Sequence, residues 1–417
     1  MTPDDYTDFR CFFDKVVRDY HGDASLTRKH LTSWEIDRKL DVKQFGLDDI
    51  SMRVRVGRNL VGTTLPGLMS KEERIDFEQK LLPAFDSLIE KYGGRVVSLS
   101  PEFGPNKVNP NFISEGQYLR LVKDHIMFKN MSADSFLMSA GLSSDWPFGR
   151  GCWYSEDMSK IIWFGEEDHL RIICIESGTD LLLAFRAVKE LHSYLESIDG
   201  IDFAQDDNYG YVTSCPSNLG TGMRASALIK VPLLTTDGTS DKVKLICNKL
   251  GLSVRGIGGE HTPIGKDGTI DVSPSSRLFV TEAQIITALY TGMESLISIE
   301  RTVSKFINDG ANPGENSSVV TTEQQIEYAT KETRDDDESS INFILINNDV
   351  DRQQAEDVEQ YTVVKTLKKE ARKKASMNKK ETIKLLSPET KSKLAMSDQS
   401  PSSLSMSPSP VLAIKNE

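Results

Sequence analysis

The chain reads as a mixed α and β domain with a short helical lead segment and a long polar tail. Three observations carry that reading: apolar runs of strand length, helical periodicity between them, and a change of composition beyond residue 306. With 417 residues and 38% hydrophobic side chains, the sequence can bury one large core plus an appendage.

In chain order, residues 1–45 combine a helical stretch around 6–19 with polar connection. Residues 51–58 alternate charge and valine, a strand with Arg53 and Arg55 on one face. Helical spacing follows at 71–92. Strands are expected at 161–164, 171–176, 209–214 and 227–231, where residues alternate or run apolar. Helices are expected at 180–198, 241–250 and 281–306, the last with Ile285, Ala288, Leu289 and Met293 at helical spacing. Together residues 46–308 hold every chemically suggestive motif.

Residues 309–417 contain three aromatics (Tyr328, Phe343, Tyr361) and neither Cys nor Trp. Such a segment buries too little apolar surface to offset its chain entropy, so it reads as disordered. Its acidic run, Asp335 to Glu338, precedes a basic stretch at 365–384. The basic stretch suits either a solvated lysine-rich tail or a helix on an anionic surface or partner. Ser-Pro pairs at Ser387, Ser400, Ser407 and Ser409 fit proline-directed phosphorylation.

A net charge of −12 argues against a general nucleic-acid binder, whose affinity comes from neutralising phosphates. Five cysteines, an odd number in a long chain, favour reduced thiols and a cytoplasmic setting. No apolar run reaches membrane-spanning length, and the start Met1-Thr2-Pro3-Asp4-Asp5 is acidic, unlike a secretory or transit signal.

The most informative stretch begins at Cys215 and runs Cys215-Pro216-Ser217-Asn218-Leu219-Gly220-Thr221-Gly222-Met223-Arg224. A thiol ionises near neutral pH only where donors or positive charge stabilise the thiolate, and Ser217 and local N–H groups could do so. A buried small hydrophobe is the other reading of Cys215. A second run, Glu166-Glu167-Asp168-His169-Leu170-Arg171, sets three acids, a His and an Arg between apolar β-forming flanks. Clustered carboxylates raise one another's pKa unless a cation sits among them, and charges near a core are normally paired or functional. Arg53 and Arg55, Arg150 in a tight turn, and Arg255 beside Gly258, Gly259 and Glu260 add cations from separate segments. Arginine forks bind phosphate oxygens in two-point fashion, so the pattern suits a polyphosphate and a cationic co-substrate.

These motifs resemble those of the phosphagen (guanidino) kinases. The resemblance rests on Arg53-Val54-Arg55 with Gly57-Arg58, Asp124-His125, Trp146-Pro147 with Gly149-Arg150-Gly151, the run from Glu166 to Arg171, the Cys215 loop, Arg255-Gly256 with Gly259-Glu260-His261, and Asp271-Val272-Ser273 with Arg277-Leu278. They occur in family order over residues 6–308. What the resemblance implies is an α+β fold: an antiparallel β-sheet flanked by helices, of the glutamine synthetase-like kind. It implies that Arg53, Arg55, Arg171, Arg224 and Arg255 surround the ATP phosphates and that His125 packs against the adenine. By the same route Glu167 aligns the guanidinium as candidate general base, and Glu260 is the second substrate carboxylate, as in arginine-specific members. Cys215 lies beside the guanidino nitrogen, its ionisation tuned by Ser217, as an electrostatic aid and not a nucleophile. Magnesium accompanies ATP, held mainly by phosphate and water, with no protein metal ligands expected.

The implied reaction is reversible phosphoryl transfer from Mg-ATP to a guanidino acceptor, L-arginine foremost, for energy buffering. Alternatives left open are another guanidino acceptor, including protein arginine, and a catalytically impaired nucleotide-binding paralogue. The resemblance admits a homodimer, and the tail admits a binding partner. Several departures bear on this. Residues 1–45 match only the last segment of the family's small helical domain, so the chain is expected to begin just after the loop that senses substrate size. Leu228 stands where the family has a second adenine-packing histidine, Gly165 replaces an Asn and Phe279 a Gly. Residues 102–115, rich in Pro, Asn and Gly, look like an insertion.

Overall fold

The computed structural model describes residues 4–22, 28–235, 240–257 and 262–308. Its strands, in chain order, are β1 (Ile50–Arg58), β2 (Arg95–Ser98), β3 (Gly151–Tyr154), β4 (Lys160–Phe164), β5 (Leu170–Gly178), β6 (Gln205–Asp206), β7 (Gly210–Tyr211), β8 (Met223–Lys230), β9 (Leu252–Arg255) and β10 (Thr269–Pro274). Eight of them form one sheet in the order β2-β3-β4-β5-β1-β8-β10-β9, and β6 pairs with β7 in a separate ribbon. Every ladder between named strands is antiparallel, the architecture that the resemblance implies.

The helices are α1 (Asp5–Asp8), α2 (Arg10–His21), α3 (Lys71–Tyr92), α4 (Glu115–Lys123), α5 (Ser135–Ser139), α6 (Leu182–Glu196), α7 (Asp241–Lys249) and α8 (Glu282–Asn308). α3 starts at a capping box in which Ser70 and Glu73 exchange side-chain-to-backbone bonds. Its apolar positions Leu81, Phe85 and Leu88 belong to the main core together with Phe185 and Val188 of α6 and Leu289 and Met293 of α8. That core takes one face of the sheet, where Met52, Val54 and Val56 of β1 point beside Ile172 and Cys174 of β5.

The opposite face is divided. Toward β2, β3 and β4, residues 113–128 cover it, with Ile113, Leu121, Ile126 and Phe128 on Val97, Ile161, Trp163 and Ile173. A third apolar cluster joins Tyr6, Phe13 and Val17 of α1 and α2 to Tyr209, Val212, Leu219 and Leu278. The rest of that face, from β5 across to β9, carries the charged groups described below.

Expected and observed elements differ in places. Of the strand expected at 209–214 only Gly210–Tyr211 pairs, because the chain then leaves the ribbon for the Cys215 turn. Strands β2, β3, β9 and β10 and helix α4 were not foreseen. Residues 102–115 form a pinned loop: Asn109 Nδ2 donates to Glu78 Oε1 at 2.9 Å, and Ser100 Oγ donates to Glu78 Oε2 at 2.7 Å. No helix among the described residues is long and apolar enough to cross a membrane. The tail expected at 309–417 lies outside the described residues.

Candidate active site

Side chains alternate along a strand, and directly paired residues of an antiparallel ladder share a face. Register therefore fixes which arginines meet. Arg55 is paired with Arg224, Arg53 with Ser226, and Gly57 with Arg171. Leu228, two residues on from Ser226, is paired with Asp271, which is paired in turn with Arg255. Arg53, Arg55, Arg171, Arg224 and Arg255 thus stand on one face of the sheet, drawn from β1, β5, β8 and β9. Four strands deliver five guanidinium groups to a common surface.

Carboxylates balance only part of that charge. Arg171 Nη1 is 2.8 Å from Glu166, its Nη2 bonds Glu167 and lies 3.8 Å from buried Asp168. Burial pulls against the Arg171 cation, but the three acids outweigh it and hold its pKa above the usual range. Arg224 pairs with Asp271 at 2.9 Å. Arg53 lies 5.5 Å over the Trp163 ring, and its Nε and one Nη are buried without a hydrogen-bond partner. Burial, then Arg224, lowers the Arg53 pKa to about 10, and Arg55 is pulled down by burial and by Arg171, Arg224 and Arg53. Orphaned, buried guanidinium nitrogens among mutually repelling cations fit a polyanion such as a nucleotide's phosphates.

Arg277 belongs to the same field. Burial and then Arg224 lower its pKa to about 10, with Arg255 and Arg171 adding repulsion. The sequence flagged Arg277 only as part of a motif. By contrast Arg150, which the sequence grouped with the phosphate-seeking cations, and Arg58, quoted there only within a motif, bond to neighbouring backbone and side chains. Arg58 is fully buried and donates to His192 Nε2 at 2.9 Å and to the Gly57 and Thr221 carbonyls. Arg150 donates to the Leu142, Ser144 and Phe148 carbonyls.

The acid run sits in the turn between β4 and β5. Gly165 opens it at φ +69°, and a Cβ there would lie 2.0 Å from the Gly149 carbonyl oxygen, which accounts for glycine at this position. Asp168 Oδ1 accepts from Asn59 Nδ2 and from Ser214 N, both at 2.8 Å, tying this turn to the segment that carries the thiol. His169 accepts from Leu60 N at 2.9 Å through Nδ1 and meets the Thr64 carbonyl at 2.8 Å through Nε2. Burial lowers the His169 pKa to about 4, so it is a neutral strut. The Glu167 pKa is raised by burial first, with Asp168 and Glu166 adding to it against Arg171 and Arg55. A carboxylate so placed is a better proton acceptor than an exposed glutamate.

Cys215 is half-buried and opens the 3-10 turn Pro216–Asn218. Its Sγ is 3.0 Å from Ser217 Oγ. Cys152, Cys174 and Cys247 are buried and Cys11 is exposed, all with free thiols. His125 is exposed at φ 60°, next to Ile126, whose carbonyl accepts from Trp163 Nε1 at 2.6 Å. Since Trp163 also underlies Arg53, His125 stands at the margin of the arginine face. Glu260 lies outside the described residues. Among the described residues no group of three or more His, Cys, Asp or Glu side chains is arranged to hold a metal ion.

A family described as ATP:guanido phosphotransferase, C-terminal catalytic domain, matches residues 102–303. The chain is 36% identical over 305 residues to an arginine kinase of Anthopleura japonica, covering 71% of this chain and 39% of that protein. It is 33% identical to an arginine kinase of Turbo cornutus, covering 72% of this chain and 79% of that protein. Among solved structures it resembles the substrate-free duplicated taurocyamine kinase from Schistosoma mansoni, with TM-score 0.64 and 32% identity over 75% of this chain and 42% of that one. A lombricine kinase crystal structure aligns at TM-score 0.63 and 27% identity over 73% of this chain and 81% of that one. The chain therefore spans well under half of the Anthopleura and Schistosoma proteins and most of the Turbo one.

Proposed function

This chain belongs to the ATP:guanidino phosphotransferases, the phosphagen kinases, and from that premise we propose that it transfers a phosphoryl group reversibly between Mg-ATP and a guanidino acceptor. The observation that carries the reading is the single sheet face on which Arg53, Arg55, Arg171, Arg224 and Arg255 stand, beside Glu167 and the Cys215 turn. In phosphoryl transfer a protein chiefly positions groups and opposes charge on the transferring phosphoryl. The arginines would hold the nucleotide phosphates without reorganising, and magnesium would arrive with the nucleotide and neutralise its charge.

The acceptor side needs a cation bound in a fixed plane and then relieved of a proton. Glu167 would take that proton, its raised pKa suiting the task. Cys215 would oppose the guanidinium charge as a thiolate held by Ser217, with Glu260 as the second carboxylate. Holding acceptor and phosphate in line supplies rate by proximity alone. L-Arginine is our first acceptor, in a cytoplasmic energy-buffering role, because arginine kinases recur among the similar proteins. Taurocyamine and lombricine kinases also recur, so acceptor choice is the part to be measured.

A coupled assay with arginine, taurocyamine, lombricine and creatine tests the reading. Turnover of one of them supports it and names the acceptor. A second reading, a nucleotide-binding paralogue without turnover, is favoured by Leu228, an aliphatic side chain on the arginine face paired with Asp271. Nucleotide binding with no activity on any acceptor would select that reading instead.

A further inference from the structure

The first two helices rest on the turn that carries Cys215. Tyr6 of α1 is fully buried and donates its hydroxyl to the Thr213 carbonyl at 2.9 Å. Thr213 Oγ1 in turn donates to the Cys215 carbonyl at 2.8 Å. At the far end of α2, His21 Nε2 lies 2.9 Å from the Pro216 carbonyl, a contact that requires the Nε2–H tautomer. Between these two points Phe13 and Val17 pack on Val212 and Leu219, and the Tyr209 hydroxyl bonds Asp14. The backbone is thus held from the same helix pair just before and just after the thiol.

We propose that α1 and α2 form a brace for the Cys215 turn, with His21 the positioning residue that keeps Ser217 Oγ on Cys215 Sγ. The proposal rests on the transfer reaction above for its catalytic meaning, while its structural content stands on the thiol alone. The turn Pro216–Asn218 is a single 3-10 turn, and few backbone bonds of its own resist a shift. A hydrogen bond from a hydroxyl to a thiolate weakens steeply with distance and angle. The charged groups around the turn make that bond matter. Asp168 and Glu167 face it from the β4–β5 turn beside Tyr6, and both oppose a thiolate. Arg277 stands near His21, and Tyr20 packs edge-on against the His21 ring.

The test reads Cys215 directly. The reference is the whole chain with Cys11→Ser, since Cys11 is exposed and the remaining cysteines other than Cys215 are buried. The rate of alkylation by iodoacetamide is followed against pH without substrates. His21→Ala is expected to raise the midpoint by about one unit, roughly tenfold slower alkylation below it. His21→Gln keeps an amide donor at similar reach and is expected to recover most of the shift. Tyr6→Phe, which removes one hydroxyl from the other end of the brace, is expected to move the midpoint the same way with the far-ultraviolet dichroism unchanged; it decides the matter if His21→Ala does not fold. Coincident midpoints in the folded variants overturn the proposal, and so does a Gln variant that behaves like Ala. Absence of phosphoryl transfer in the reference chain would count against the proposed reaction and leave the thiol profile to judge the brace.

Discussion

Arg55 and Arg224 are register partners across the β1–β8 ladder, two cations held opposite one another on the same face of the sheet. Like charges directly opposed in an antiparallel pair destabilise it. Here burial sharpens the conflict, because Arg55 is pulled down both by desolvation and by three neighbouring arginines. Among the described residues of this face Arg171 pairs with Glu166 and Glu167 and Arg224 with Asp271, whereas two nitrogens of Arg53 lie buried without a hydrogen-bond partner. The arrangement is therefore poised for an anion, and the unliganded protein is less stable for it.

The first prediction follows from that repulsion. Arg55→Met should leave the unliganded protein as stable as before or more so, by about 0.5–1 kcal/mol. The same change should weaken ADP binding at least tenfold, about 1.4 kcal/mol. Scanning calorimetry and titration calorimetry read the two effects. A destabilised variant with undiminished ADP affinity would refute the assignment.

Glu167 should control the acid side of the rate profile. As proton acceptor it must be ionised, so the rate falls as pH drops through its raised pKa, above the ordinary 4.5. Glu166→Gln removes a neighbouring negative charge that raises Glu167, so the acid limb should move to lower pH. Glu167→Gln should lose about a hundredfold or more in turnover with ADP affinity nearly unchanged. An acid limb that stays fixed in Glu166→Gln would exclude Glu167 as its source.

Three buried histidines should make the fold acid-sensitive well before its carboxylates titrate. Burial, with neighbouring cations, lowers His30 and His169 to about 4 and His192 to about 2. An unfolded histidine takes up its proton near pH 6.5, which the folded protein refuses. Between those values the unfolded chain binds more protons, so stability is complete above about pH 6.5 and declines as pH falls. The limiting slope is about 1.4 kcal/mol per pH unit for each histidine. Urea unfolding from pH 7 to 5 measures it, and His169→Gln should reduce the slope; an unchanged slope would remove His169 from the account.

The loop at 102–115 should depend on one buried carboxylate. Asn109 Nδ2 reaches both Glu78 Oε1 and Ser98 Oγ, at 2.9 and 3.0 Å. Asn109→Ala leaves Glu78 short of a donor and should destabilise by about 1–3 kcal/mol. Asn109→Ala with Glu78→Gln should be milder than the single change, since an uncharged amide is less costly to leave short of a donor. Equal losses in single and double variants would show that Glu78 is not the partner that matters.

Local pattern made some of this legible and long-range pairing hid the rest. The valine alternation in β1 announces that Arg53 and Arg55 share a face, because that follows from strand geometry alone. That Arg224 and Arg255 come to the same face depends on cross-strand register, which no window of sequence contains. Strands β2, β3 and β9 escaped notice because each is four residues long, too short for a periodic signal. α4 had a usable mark, since Ser114 and Gln117 form a capping box, but the Pro- and Asn-rich stretch before it suggested loop. Arg150 was grouped with the phosphate-seeking cations because a buried arginine bonded to backbone carbonyls has no sequence signature of its own.

The position of β1 in the sheet order has a practical consequence. It lies between β5 and β8, and both of its ladders run through residues earlier than position 102, where the family match begins. A polypeptide trimmed to the matched span would part the sheet along its middle seam and discard Arg53 and Arg55, two of the five arginines on the charged face. Expression boundaries for this protein therefore have to be drawn from strand pairing and not from the extent of sequence similarity.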